Sequence, residues 1–211
     1  MDVLERLSET LRIGDPEGAA RLTKEAIEAG CEPQVILNHG LIAGMTIIGD
    51  KFRTHEIFLP DVLLAAKAMY AGMDVLRPIL IRDDIPTLGK VVIGTVQGDL
   101  HDIGKNLVGI MLKGAGFEVI DLGHDVSPER FVGEAQRVGA AIIGMSALLT
   151  TTMQNMSKVI DLAQQRGLRP QIKIVVGGAP VSSDYARQIG ADAYCFDCIS
   201  AVDCAKRLVG V

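Results

Sequence analysis

Val91-Val92-Ile93-Gly94-Thr95-Val96 runs into Gly98-Asp99-Leu100-His101-Asp102-Ile103-Gly104, and a helix-like stretch over residues 106–112 follows. An apolar run of strand length, a glycine-bounded polar turn and a helix in immediate succession read as the opening of a βαβ unit. Turns of this kind collect catalytic and ligand-binding residues. Asp99 and His101 stand two apart, so an imidazole can project from the loop while the carboxylate reaches its second ring nitrogen. Metal-ligating histidines are usually held in this way. Taken alone, Asp-x-His also describes an ordinary solvated turn.

The pattern repeats downstream. Short apolar runs at residues 91–96, 117–121, 140–145, 172–176 and 192–195 are each followed by an amphipathic stretch of helical length. Five strands alternating with five helices imply a parallel sheet covered on both faces. Ligands of such sheets gather outside the carboxyl ends of the strands. The Asp-x-His loop follows the first strand, Ser146 the third and Gly177-Gly178 the fourth, so all three are expected on one edge.

Upstream the chain reads as helices. Val3, Leu4, Leu7 and Leu11 recur at helical spacing, Gly14-Asp15-Pro16 breaks and restarts the pattern, and residues 19–29 continue to Gly30. A third segment covers about residues 34–48 and a fourth about 59–76, opened by Phe58-Leu59-Pro60-Asp61. Four helices with short connections make an antiparallel bundle. Residues 77–89, with Pro78, Asp83, Asp84, Pro86 and Gly89, carry turn chemistry and are read as a linker. The expected domains are 1–88 and 89–211.

Composition narrows the function. With 211 residues, 48% of them hydrophobic and 22% charged, the chain can bury a core without staples. No apolar run spans a bilayer and the charged start Met1-Asp2-Val3-Leu4-Glu5-Arg6 is unlike a signal peptide, so a cytoplasmic protein without a membrane partner is expected. A net charge of -5, no tryptophan and no basic tract argue against nucleic acid as a partner. Cys195-Phe196-Asp197-Cys198 has the spacing of a metal or redox pair, but no second pair completes a zinc site, which leaves buried or loop cysteines as the simpler reading. His124, after the second strand, reads as an incidental polar loop residue.

The spacing between motifs adds a resemblance. Residues 105–145, 41 positions, separate Gly104 from Ser146-Ala147-Leu148, and residues 149–176, 28 positions, separate that motif from Gly177-Gly178. Asp99-x-His101-x-x-Gly104, Ser146-x-Leu148 and Gly177-Gly178 in this order resemble the cobalamin-binding signature. Residues 92–123 are similar to the cobalamin domain of cobalamin-dependent methionine synthase and of the small corrinoid proteins of multi-component methyltransferase systems. The resemblance extends over nearly the whole chain.

It implies an α/β protein: an N-terminal four-helix bundle cap, then a flavodoxin-like (Rossmann-like) domain with a five-stranded parallel sheet in the order 2-1-3-4-5. The implied cofactor is cobalamin or a related corrinoid, in its methylcobalamin form. His101 would supply the lower axial ligand to cobalt, displacing the cofactor's dimethylbenzimidazole into a slot in the domain, and Asp99 would orient His101. Gly98, Asp102, Ile103 and Gly104 fall in the same cofactor loop. Ser146 and Thr150 match hydroxyls that meet the buried tail, Leu148 belongs to the Ser-x-Leu motif, and Gly177 and Gly178 leave the tail's path open. A simple turn is the other reading of the glycine pair. Thr152 stands where methionine synthase has a serine that completes a chain of histidine, aspartate and hydroxyl; otherwise it would cap a helix starting at Met153. Cys198 falls where the family brings a small side chain near the tail. Phe52 and Leu59 match a cap phenylalanine and leucine over the upper corrin face, with ordinary core packing as the alternative. His39 stands where methionine synthase has a cofactor-contacting glutamate.

The function implied is a methyl carrier that is loaded on cobalt(I) by a substrate-specific methyltransferase. A second methyltransferase would unload it to a one-carbon acceptor, tetrahydrofolate or a thiol coenzyme. A corrinoid-reactivating reductase is the third implied partner. A cobalamin-binding sensor shares the motifs but needs an output domain, and a radical mutase subunit normally sets a substrate barrel over the corrin. Methylamines, betaines, methanol and aromatic methyl ethers stay open as methyl donors.

Overall fold

The alternating apolar runs form one parallel sheet in the computed structural model, which describes residues 2–83 and 87–211. Its strands are β1 (Lys90–Thr95), β2 (Glu118–Asp121), β3 (Ile142–Ser146), β4 (Lys173–Gly177) and β5 (Ala193–Cys195). Their order is β2-β1-β3-β4-β5, as the resemblance implied. β1 and β3 are buried on both faces: Val92 and Ile93, and likewise Ile142 and Ile143, are successive residues that face opposite sides, and all are at most 2% exposed. That explains why these two strands read as apolar runs rather than alternating ones.

Register carries the motifs to one edge. Thr95 pairs with Ser146, Ser146 with Gly177 and Gly177 with Cys195, so the carboxyl ends of four strands form a single row. The chain leaves β1 for β2 on one side and comes back to β3 on the other. The strand order therefore reverses at β1, and the crevice opened by that reversal lies between the loops after β1 and β3.

Each strand is followed by a helix: α6 (Ile103–Gly114), α7 (Pro128–Val138), α8 (Gln154–Gln165), α9 (Ser183–Gln188) and α10 (Cys198–Val209). Local chemistry starts them. Ser127 accepts from Arg130 N–H ahead of Pro128, and Asp197 and Ser200 form a reciprocal capping box at α10. Phe131 of α7 and Met156 of α8 are fully buried in the sheet's core, each contributing about 1.5–3 kcal/mol by burial.

By contact density the chain forms two units, Met1–Pro86 with Gly114–Gly116 and Thr87–Lys113 with Phe117–Val211. The first holds α1 (Val3–Ile13), α2 (Pro16–Glu28), a continuous helical run of α3 (Pro33–Val35), a π-helical segment (Ile36–Ile42) and α4 (Ala43–Arg53), then α5 (Leu59–Arg82). Leu7, Leu11, Ile36, Leu41, Met45, Ile48 and Leu76 are the largest of its fully buried side chains among the described residues.

One boundary differs from the expectation. α5 does not end at Leu76 but runs on through Pro78 to Arg82. Proline there removes a single N–H donor, and a long helix already formed needs no new nucleus to continue past it. Linker geometry therefore begins no earlier than Asp83; Asp84 and Pro86 lie outside the described residues. Among the described residues no helix is long and apolar enough to cross a membrane.

Candidate functional site

Asp99 is the hub of the sheet's carboxyl edge. It is fully buried, yet both of its oxygens are used. Oδ1 accepts from the backbone N–H of His101 at 3.1 Å and lies 2.8 Å from His101 Nδ1. Oδ2 accepts from the backbone N–H of Leu148 at 2.8 Å and of Leu149 at 3.1 Å, and from Thr152 Oγ1 at 2.8 Å. The carboxylate thus ties the loop after β1 to the loop after β3 across the crevice.

Two effects compete for its proton. Burial pushes the pKa up, but the His101 ring and the backbone N–H groups of Leu148, His101 and Leu149 stabilise the anion and prevail, leaving the carboxyl well below its ordinary range. Asp99 is therefore an acceptor only, and the facing His101 Nδ1 must carry a hydrogen. The lone pair of His101 then sits on Nε2, on a side chain that is 52% exposed. A carboxylate that fixes an imidazole in this tautomer is the arrangement in which metal-ligating histidines are commonly held.

Thr152, with a hydroxyl where methionine synthase has a serine, reaches the carboxylate. Its hydroxyl lies 2.8 Å from Asp99 Oδ2 and equally near Leu149 O. A hydroxyl has one proton, and the buried anion is the stronger acceptor. α8 has no side-chain cap, so Thr152 serves the carboxylate rather than the helix.

The loop is also pinned by residues that sequence reasoning passed over. Thr95 Oγ1 donates to His101 O at 2.9 Å, Asn155 Nδ2 donates to Gln97 O at 2.7 Å, and Asp125 Oδ1 accepts from Gly98 N–H at 2.7 Å. The buried Lys105 ammonium, 2.6 Å from both Asp121 oxygens, fixes the start of α6 to the end of β2. Nothing in residue type marks these as site residues; their meaning comes from strand-end position.

Of the other expected residues, Ser146 is half-buried at the end of β3, Thr150 is exposed, and Asp102 and the exposed Gly104 follow His101 directly. A Cβ at Gly177 would lie 2.8 Å from Cys195 O, and one at Gly178 would lie 1.9 Å from Ala147 O. The pair is thus required by the approach of neighbouring backbone. Cys198 is the first residue of α10, where burial and then Asp197 push its thiol up to about 11. Cys195 packs in one buried cluster with Ala201 and Cys204, a cluster that does not include Cys198. His124 is exposed. In the helical unit, Phe52 of α4 and Leu59 of α5 are half-buried, and His39 is exposed on the π-helical segment.

The surroundings fit a flat, largely apolar ligand with a metal at its centre. Leu100 and Ile103, which flank His101, are 66% and 76% exposed, and Leu148 and Leu149 beside Asp99 are 44% and 42% exposed. Large apolar side chains grouped on the loops around a poised nitrogen donor mark a binding surface.

Comparison with known proteins agrees with this geometry. Residues 89–200 match the B12 binding domain family, and residues 3–77 match a second B12 binding domain family. The chain is 40% identical over 213 residues to a corrinoid protein of Desulfitobacterium hafniense, covering 100% of this chain and 99% of the relative. It is 42% identical over 210 residues to trimethylamine corrinoid protein 2 of Methanosarcina acetivorans, covering 99% and 97%. Among solved structures, the methanol:cobalamin methyltransferase complex MtaBC of Methanosarcina barkeri superposes with a TM-score of 0.90 at 29% identity, over 99% of this chain and 80% of that one. A buried aspartate that presents a histidine nitrogen at the edge of a B12 binding domain, and full-length similarity to named corrinoid proteins, lead to one assignment: the chain belongs to the family of corrinoid proteins of methyltransferase systems.

Proposed function

We propose that this protein is a methyl-carrying corrinoid protein in which His101 Nε2 is the lower axial ligand to the corrinoid cobalt. The observation that carries the reading is the 2.8 Å contact of His101 Nδ1 with the buried Asp99 carboxylate, which leaves Nε2 as the free donor. When bound, the corrinoid supplies a cobalt centre that takes up and gives away a methyl group. The chain's own part is to hold and tune. Asp99 keeps the hydrogen on Nδ1, and Thr152 holds the carboxylate in place, so that the two set the basicity of Nε2.

Gly98, Asp102, Ile103, Gly104 and Leu148 are assigned to the corrin ring's side of the same edge. Ser146, Thr150, Gly177, Gly178 and Cys198 are assigned to the nucleotide tail. Phe52 and Leu59 are assigned to the upper corrin face, with residues 1–88 as a helical cap domain and 89–211 as the cofactor domain. The partners are a substrate-specific methyltransferase, a second methyltransferase acting on tetrahydrofolate or a thiol coenzyme, and a reactivating reductase, all cytoplasmic. The relatives' names span trimethylamine and methanol on one scaffold, which supports placing donor choice in the partner methyltransferase.

Replacing His101 by Ala and recording the visible spectrum tests the reading. The expected result is loss of the nitrogen-ligated signature with corrinoid still bound. An unchanged spectrum would overturn it.

A further inference from the structure

Asp125 has a left-handed backbone, φ 53, at an exposed position in the loop between β2 and α7. L side chains other than Asn and Asp avoid this region, and such a conformation persists only where its surroundings impose it. Here the surroundings are the histidine loop. The backbone N–H of Asp125 donates to Asp99 O at 3.0 Å, and its carboxylate Oδ1 accepts from Gly98 N–H at 2.7 Å. One residue thus grips Gly98, just before the Asp99–His101 turn, and Asp99, at its start.

The gripping loop is itself braced. Val126 N–H donates to Thr95 O at 3.0 Å, and Val96 and Val126 form an isolated parallel bridge that prolongs the sheet past β1. Gly123 N–H donates to Asp121 Oδ1 at 2.8 Å, and Asp121 is held by the buried Lys105. Gly98 is also left-handed, φ 83, so its own torsions would allow the turn to swing. An acceptor on its N–H is what selects one arrangement.

We propose that Asp125 is a positioning residue that clamps Gly98 and Asp99 so that His101 is presented in its ligand geometry; this rests on the reading of His101 as the axial ligand. Both hydrogen bonds of Asp125 to the loop go to its backbone, at Gly98 and Asp99, so Asp125 acts through the loop. A structural role alone would be satisfied by any residue tolerant of φ 53. The proposed role requires a side-chain acceptor at that φ.

Asp125→Gly keeps the torsion free of strain and removes the acceptor, while Asp125→Asn keeps both. Both full-length variants are compared with wild type, as apoprotein and loaded with hydroxocobalamin and then reduced to cobalt(II). Amide hydrogen exchange of Gly98 is read by NMR in the apoprotein, and the ratio of histidine-ligated to unligated cobalt(II) is read by electron paramagnetic resonance. In Asp125→Gly, Gly98 is expected to exchange about tenfold faster and the ligated ratio to fall about tenfold, the size of one charge-assisted hydrogen bond. Asp125→Asn keeps an acceptor without its charge and should fall between the two, about threefold from wild type on both. Wild-type behaviour of Asp125→Gly, or an Asp125→Asn that behaves like Asp125→Gly, would overturn the proposal. If wild type itself showed no histidine ligation, the axial-ligand reading would fall, and the Gly98 exchange rates would still decide whether Asp125 holds the loop.

Discussion

Asp99→Asn should be among the most damaging near-isosteric changes in the sheet domain, even without cofactor. The two oxygens of Asp99 face only donors: His101 N and Nδ1 on one side, and Leu148 N, Leu149 N and Thr152 Oγ1 on the other. An asparagine must turn its NH2 group toward one set, and either choice sets donor against donor in a site that is 0% exposed. Losing two or three hydrogen bonds to a buried anion, and leaving N–H groups unsatisfied, costs about 2–4 kcal/mol. For a chain of this size that lowers the melting temperature by roughly 5–15 °C. The pKa of Asp99 is depressed in the folded state, so its contribution is complete above its unfolded value of about 3.9 and is lost as pH falls toward the folded one. Urea unfolding of the apoprotein, followed by a probe in the sheet domain, should show a gap between wild type and Asp99→Asn that is constant from neutral pH to about pH 5 and shrinks below about pH 4. Equal stabilities at neutral pH, or a gap that does not narrow in acid, would refute this account of the carboxylate.

Thr152→Val keeps the shape and removes the hydroxyl; it should cost about 1–2 kcal/mol in urea unfolding and shift the cobalt midpoint potential, with Thr152→Ser restoring both. Gly178→Ala should lower soluble yield and melting temperature sharply, because the added Cβ would lie 1.9 Å from Ala147 O at a φ of 124; a melting curve like wild type would show that the loop can yield.

The strands were legible because β1, β3 and β4 are short apolar runs bounded by turn residues, with ends that come within a residue or two of the observed ones. Convergence of the motifs was legible too, since parallel strands send all their carboxyl ends to one edge. The strand order came from resemblance, because periodicity does not say which strand lies beside which. The end of α5 was misread: Pro78 looks like a terminator in sequence, but in a helix already formed it removes only one hydrogen bond, and the helix runs on to Arg82. The π-helical segment was invisible, since Leu37, Leu41 and Met45 fit an α spacing equally well. The bond from Thr152 to Asp99 joins residues 53 apart and depends on a rotamer. Asp125 escaped notice because its signal is a torsion angle, not a residue type.

The most direct measurement is electron paramagnetic resonance of the cobalt(II) form of protein grown on 15N-labelled histidine. A lower axial His101 predicts a two-line nitrogen splitting in wild type, from a spin-1/2 nucleus, and its loss in His101→Ala. A three-line splitting from the unlabelled nitrogen of the corrinoid's own base, unchanged in His101→Ala, would contradict the account.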